Sequence, residues 1–242
     1  MIPREIHFCW FGDREIPEEL KEIIKEWKEL FPDFKITKWG NSELAKIPEK
    51  PKYVIDAIKQ KKWAFVSDYV RIYALYQRGG WYFDTDMKII SPFLYKYENH
   101  RCVSAVEIGG TNDEHDGIQV QAAFIGSEKG HPYMKDILDY YSSAEFVYDD
   151  EKTIISPIIY AKVLEKYGFD YDDCEQVLDE DIFLLSWKNI LPHISHLMKT
   201  AKRVGDIYAV HQCFHSWVNE EWGINKGIIN LIDKIKRINK RQ

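Results

Sequence analysis

Two aspartates stand two residues apart in Trp81-Tyr82-Phe83-Asp84-Thr85-Asp86. Side chains alternate along a strand, so a strand over this segment projects both carboxylates from one face. Two neighbouring carboxylates repel, and burial raises their pKa values unless a cation neutralises them. Such an oxygen-rich pair suits Mn²⁺ or Mg²⁺, and either ion can hold a diphosphate. A bare D-x-D is equally what two solvated acids at a strand end look like, so the flanking residues decide. Ser67-Asp68-Tyr69-Val70-Arg71 lies upstream, with Asp68 and Arg71 neighbours at i and i+3 on a helix. They form either a local ion pair worth roughly 0.2–0.5 kcal/mol or a polar pair that points at Asp84 and Asp86 and holds sugar hydroxyls.

The elements that must position these groups follow from periodicity. Residues 4–11 form an apolar, aromatic first strand ending at Gly12. Pro17 with Glu18 and Glu19 opens a helix, Leu20, Ile23, Ile24 and Trp27 recur at helical spacing, and Pro32 stops it. Residues 34–39 predict a strand and 53–59 a helix. Val66, Val70, Tyr73, Ala74 and Gln77 share one face of a longer helix, which ends at Gly79-Gly80, where a residue free to take positive φ can cap it. Residues 81–87 predict a strand that leads through Ile89-Ile90 to Pro92. Further strands are expected at 102–107, 119–126, 182–186 and 207–211, and helices at 131–141 and 157–167. Strands interleaved with helices give an α/β sandwich around a mainly parallel sheet.

Composition bounds the function. The 242 residues carry a net charge of -6, which excludes a general nucleic-acid binder, since that needs a basic face. Mean hydropathy of -0.42 marks a soluble protein, and no apolar run approaches the roughly 18 residues of a membrane span. The beginning MIPREIHFCWFG carries Arg4 and Glu5 and does not resemble a signal peptide. Cys9, Cys102, Cys174 and Cys213 are scattered without a C-x-x-C pair, which suits a reducing compartment. Together these features predict a cytoplasmic protein.

Ser67-Asp68-x-x-Arg71, Leu75 and Gly79-Gly80-x-Tyr82-x-Asp84-x-Asp86 resemble the signature of glycosyltransferase family 32. That family includes bacterial capsular polysaccharide transferases and relatives of the yeast initiating α-1,6-mannosyltransferase, and the clostridial glucosylating toxins share the motif. The match is dense over residues 64–86. Ile2-Pro3-Arg4-Glu5-Ile6-His7-Phe8-Cys9-Trp10-Phe11-Gly12 looks like the family's first strand, and Tyr208-Ala209-Val210-His211-Gln212-Cys213-Phe214-His215-Ser216-Trp217 resembles its late His…Ser-Trp motif. The resemblance implies an α/β, GT-A-like (Rossmann-like) fold with a mixed, mainly parallel sheet flanked by helices. The enzyme domain is then 1–223, followed by a basic helix over 224–242.

It also implies roles. Asp68, Arg71, Asp84 and Asp86 are the catalytic group, and Asp86 with His211 holds Mn²⁺ or Mg²⁺, Asp84 joining directly or through water. Trp10, Phe11, Tyr82, Asp84, Gln121, Ser216 and Trp217 bind the donor, Trp10 by stacking on the base or, alternatively, sitting in the core of strand one. Where this chain has His215 the family carries a small residue, so His211 is expected to be the ligand and His215 the alternative. Gln119 and Gln121 are contacts to donor or acceptor, or polar strand residues, and Glu107 and Asp116 are candidate acids on the acceptor side. Ser156-Pro157 resembles a helix start of the family.

The activity implied is metal-dependent transfer of a hexose from a nucleotide diphosphate sugar, UDP-hexose and within that UDP-galactose, to a lipid-linked saccharide of a capsular or surface polysaccharide, with retention. A GDP-mannose-using mannosyltransferase is the alternative donor reading. A non-catalytic sugar-binding protein is the rival from another class. A phosphohydrolase of the dehalogenase type is disfavoured, because that motif wants Thr or Val where this chain has Lys88. A toxin-like effector shares the chemistry but needs delivery domains.

The tail sets Lys226, Lys234, Lys236, Arg237, Lys240 and Arg241 against Asp233, a net of +5, so the rest of the chain carries -11. Ile224, Ile228, Leu231, Ile232, Ile235 and Ile238 recur at helical spacing beside them. Such a helix either lies on the anionic cytoplasmic face of the inner membrane, making the enzyme peripheral, or packs its stripe on the domain.

Overall fold

The chain begins with β1 (Glu5–Cys9), crosses through α1 (Glu18–Leu30) and returns in β2 (Lys35–Trp39), parallel to β1. The structure is a computed structural model that describes residues 1–109, 115, 117–148, 153–191 and 207–212. The α1 helix starts directly after Pro17, carries Glu18 and Glu19 in its first turn, and buries Leu20, Ile23 and Trp27, as its spacing predicts. Three helices follow, α2 (Asn41–Lys46), α3 (Lys52–Lys59) and α4 (Trp63–Arg78), the last delivering the chain into β3 (Gly80–Phe83) on the other side of β1. The chain therefore leaves β1 for one neighbour and comes back to the opposite neighbour. Open α/β sheets place their ligand crevice at such a reversal, beyond the carboxyl ends of the strands.

The main sheet also contains β5 (Cys102–Ile108), β7 (Phe124–Ser127), β8 (Gln176–Leu178) and β9 (Ile182–Leu185), in the order β2-β1-β3-β7-β5-β9-β8, with β6 (Ile118–Val120) paired to β5. Along that order only β7 and β8 run against the rest, so the expected mixed, mainly parallel sheet is present. A second sheet contains β10 (Ile190–Leu191), β11 (Ala209–His211) and β4 (Met87–Ile89). One face of the main sheet buries Val54, Val66, Val70 and Leu75 with residues of α6 (Pro132–Ser143) and α7 (Ser156–Leu164). The other face buries Trp27 of α1, Leu94 of α5 (Leu94–Tyr97), and Met87, Ile190 and Ala209 of the small sheet. This is the layered α/β sandwich that the alternation of elements predicts.

Two predicted strands are interrupted. The strand expected over 81–87 ends at Phe83, because its partner β7 begins at Phe124, opposite Phe83. The chain then changes sheets, and β4 pairs with β11 instead. Asp84, Thr85 and Asp86 make the turn between, closed by a hydrogen bond from Met87 N to Asp84 O at 2.9 Å. The strand expected over 119–126 likewise splits into β6 and β7 around residues 121–123. The α4 helix is buried on more sides than its predicted stripe, with Asp68, Tyr69, Arg71 and Ile72 also buried, while Gln77 is exposed.

The helix-to-strand joint needs glycine. Gly79 and Gly80 take φ of +68° and +108°, and a Cβ on Gly80 would sit 2.5 Å from the Glu5 carbonyl oxygen. This close approach lets buried His7 bond Gly79 O at 2.9 Å through Nε2, while its Nδ1 accepts from Trp39 Nε1 at 3.2 Å. Burial pushes the His7 pKa down to about 4, so the imidazole is neutral and ties β1, β2 and the end of α4 together. No helix among the described residues is long and apolar enough to cross a membrane.

Candidate active site

The turn after β3 is held from three sides. Asp84 N donates to Ala123 O at 2.9 Å, Gln212 N donates to Asp86 O at 3.3 Å, and Trp27 Nε1 donates to Met87 O at 2.8 Å. In the antiparallel pairing of β4 with β11, His211 stands opposite Met87, beside Asp86. His211 Nε2 lies 3.3 Å from Asp86 Oδ1 and 4.0 Å from Asp84 Oδ2. One ligand atom from each of Asp84, Asp86 and His211 falls within 4.8 Å of the others, and all three residues are partly exposed. The aspartates thus converge through a turn that spans two sheets, where the sequence predicts alternation along a strand.

Behind the turn sits buried Arg71. Its Nη2 lies 3.0 Å from Asp68 Oδ1 and 3.4 Å from Asp84 Oδ1, and its Nη1 donates to Ala122 O at 2.7 Å. Tyr82 OH also donates to Asp84 Oδ1 at 2.7 Å, and the Arg71 guanidinium stacks 4.8 Å from the Tyr82 ring centroid. Asp84 is therefore divided: Oδ1 faces Arg71 and Tyr82, while Oδ2 is the oxygen toward His211. Burial works against the Arg71 charge, but Asp84, Tyr82 and Asp68 outweigh it and hold the proton more tightly than usual. Burial pushes the Asp68 carboxyl up to about 6, with Arg71 and the hydroxyl of Ser156 opposing the rise. Ser156 Oγ donates to Asp68 Oδ1 at 3.0 Å and Tyr160 OH to Asp68 O at 3.2 Å. The α7 helix thereby fixes Asp68, a role that the helix-start resemblance of Ser156-Pro157 does not state.

The chemistry of the donor set fits a divalent cation. Two carboxylates and one imidazole supply hard oxygen and borderline nitrogen. Neutralising the adjacent aspartates is a further gain that a cation brings.

Other predicted residues fall around this centre. Trp10, just beyond the carboxyl end of β1, is partly exposed and lines a cleft of about 510 Å³ with Arg14, Lys38, Gly40 and Asn41. Its Nε1 donates to Arg14 O at 2.7 Å, which fixes the ring. Asn41 clamps Gly12, accepting from its N–H at 3.1 Å and donating to its carbonyl at 3.0 Å. Nothing in the local pattern singles out Asn41, and the cleft exists because β1 and β2 end side by side. Phe11 is buried in the helix-side core, and Tyr82 is buried and reaches the site through Asp84. Gln121 is 1% exposed, with its Oε1 accepting from Ala123 N at 3.0 Å. Glu107 lies at the end of β5, where burial pushes its carboxyl up to about 7, with His211 opposing and Asp84 adding to the rise. Asp116, Cys213, His215, Ser216, Trp217 and the tail 224–242 lie outside the described residues.

Comparison with known proteins places this constellation. Residues 17–104 match the family described as a glycosyltransferase sugar-binding region containing a DXD motif. The match takes in Asp68, Arg71, Asp84 and Asp86, so the chain contains a glycosyltransferase DXD region. It is similar to "Subversion of eukaryotic traffic protein A" of Legionella pneumophila, 25% identical over 118 residues that cover 38% of this chain and 18% of that protein. The chain thus matches less than a fifth of that relative's length. Among solved structures it is similar to the PaToxG glycosyltransferase, with 17% identity, a TM-score of 0.46, and 68% and 69% of the two chains covered. It is also similar to the galactosyltransferase LgtC in complex with donor and acceptor sugar analogues, with 10% identity, a TM-score of 0.45, and 97% and 95% covered.

Proposed function

We propose that this chain is a GT-A-type hexosyltransferase that moves a sugar from a nucleotide diphosphate donor to a saccharide acceptor, using Mn²⁺ or Mg²⁺ at Asp84, Asp86 and His211. The observation that carries this reading is the convergence of those three side chains from two separate stretches of chain, beside a buried Arg71 that Asp68 and Asp84 hold in place. The bound cation would stabilise the negative charge that builds on the β-phosphate as the anomeric bond breaks. Asp86 and His211 would hold the ion, with Asp84 joining them directly or through water. Arg71 holds Asp84 in orientation, and Asp68 with Arg71 positions the donor sugar. Trp10 and the cleft beside it receive the nucleobase, Trp10 by stacking. Gln121 faces the sugar, and Ser216 and Trp217 donate to the diphosphate.

A UDP-hexose is the donor we favour, UDP-galactose first, with GDP-mannose second. The acceptor we favour is a lipid-linked saccharide of a bacterial surface or capsular polysaccharide, transferred with retention at the cytoplasmic face of the membrane, where the basic segment 224–242 meets anionic lipid. The test is nucleotide release from a panel of UDP-, GDP- and TDP-sugars with Mn²⁺. One UDP-hexose is expected to dominate, with release abolished by EDTA. Tight nucleotide binding without release from any donor would make the chain a non-catalytic sugar-binding protein.

A further inference from the structure

The β5–β6 hairpin presents a polar row beside the aspartate turn. Glu107 pairs in register with Gln119, so the two share a face, and alternation puts Gln121 on it as well. The intervening Val106 and Val120 point into the helix-side core. Ala105, two residues before Glu107, packs with Met87 and Ala209 in the other core. The row therefore lies on the side of the sheet where β4 and β11 bring Asp86 and His211, and the charges of His211 and Asp84 act on Glu107.

Two atoms of this row are buried without a hydrogen-bond partner among the described residues: Glu107 Oε2 and Gln121 Nε2. The Gln121 amide is fixed by its bond from Ala123 N, so Nε2 stays where it is and offers two protons. Orphaned buried polar atoms are rare, because each costs folding free energy that an apolar side chain would not. An acceptor and a donor together meet the needs of a hydroxyl, which gives one hydrogen bond and takes others. A sugar joined to a diphosphate on the aspartate turn lies next to the turn, and the row is there too.

We infer that Glu107, together with Gln121, binds a hydroxyl of the transferred sugar and so sets which hexose the site takes. This rests on the nucleotide-sugar reading above. The test is titration of the Mn²⁺-loaded full chain with UDP and with UDP-galactose, or with GDP and GDP-mannose where the donor panel selects those. The titration is run at about pH 8, above the raised pKa of about 7 for this carboxyl. Glu107→Gln is then expected to leave the affinity for the free nucleoside diphosphate within about twofold and to weaken the nucleotide sugar about 10- to 100-fold, the range for a bond to a charged group. On the wild-type chain, one singly deoxygenated analogue of the donor is expected to lose a similar factor, and Glu107→Gln to add nothing further to that loss. Equal affinity of Glu107→Gln for the nucleotide sugar would overturn the inference and leave the orphaned atoms to water. An equal fall for the free nucleotide would overturn it too, making Glu107 part of the cation site. These readouts are binding constants, so a wild-type chain that binds donors without releasing nucleotide would sink the transferase reading and still decide the role of Glu107.

Discussion

Asp86→Asn is expected to lower Mn²⁺-dependent nucleotide release by about 10³-fold or more, since a catalytic cation contributes several kcal/mol and each 1.36 kcal/mol is tenfold. The amide keeps the shape of the side chain and loses the charge that holds the ion. The backbone of the turn is held by Met87 N, Gln212 N and Ala123 O, none of which involves the Asp86 side chain. Without the ion, Asp84 and Asp86 repel, so thermal unfolding of the apo variant is expected at the wild-type temperature or above it. The check is release kinetics at saturating donor together with a melting curve. A variant that turns over at the wild-type rate would remove Asp86 from the cation site.

Arg71 is expected to show the largest combined loss of stability and activity. It is 5% exposed and meets Asp68, Asp84 and the Ala122 carbonyl at once. Arg71→Ala leaves Asp68 buried without its cation, at a cost of about 3–5 kcal/mol. An isolated i,i+3 pair on a surface would cost roughly 0–1 kcal/mol. The deficit has a sign in pH. Burial already raises the folded Asp68 pKa to about 6, above the unfolded value, so protonation favours the folded chain and the burden grows as pH rises through that window. Removing Arg71 raises the folded pKa further, so the variant is expected to be closest to wild type near pH 5 and furthest from it above pH 6. Arg71→Lys separates fold from function, because an ammonium keeps charge but lacks the planar fork that spans three acceptors. It is expected to fold and to release nucleotide far more slowly. Wild-type kinetics for Arg71→Lys would reduce Arg71 to a packing residue.

Local pattern made much of this molecule legible. The stripe Leu20, Ile23, Trp27 predicts α1, and Gly79-Gly80 predicts the joint that puts Asp84 at the end of a strand at the switch point of the sheet. What local pattern did not carry is pairing between distant segments. Asp84 and Asp86 converge because β4 leaves the main sheet to pair with β11, more than a hundred residues later. Ser156 reaches Asp68 across 88 residues, and the break at residues 121–123 that aims Gln121 follows from β6 and β7 sharing β5 as a neighbour. The Trp10 cleft, likewise, is made by two strands that end together, and its lining residue Asn41 carries no signal of its own.

On the proposed function, the aspartate turn recruits a nucleoside diphosphate through a divalent cation. Calorimetric titration of the wild-type chain with UDP, with Mn²⁺ and then in EDTA, tests this directly, with GDP run in parallel. Binding is expected with the metal, and at least about tenfold weaker binding without it, the energy of one lost charge-assisted contact. Equal affinity in Mn²⁺ and in EDTA would contradict it.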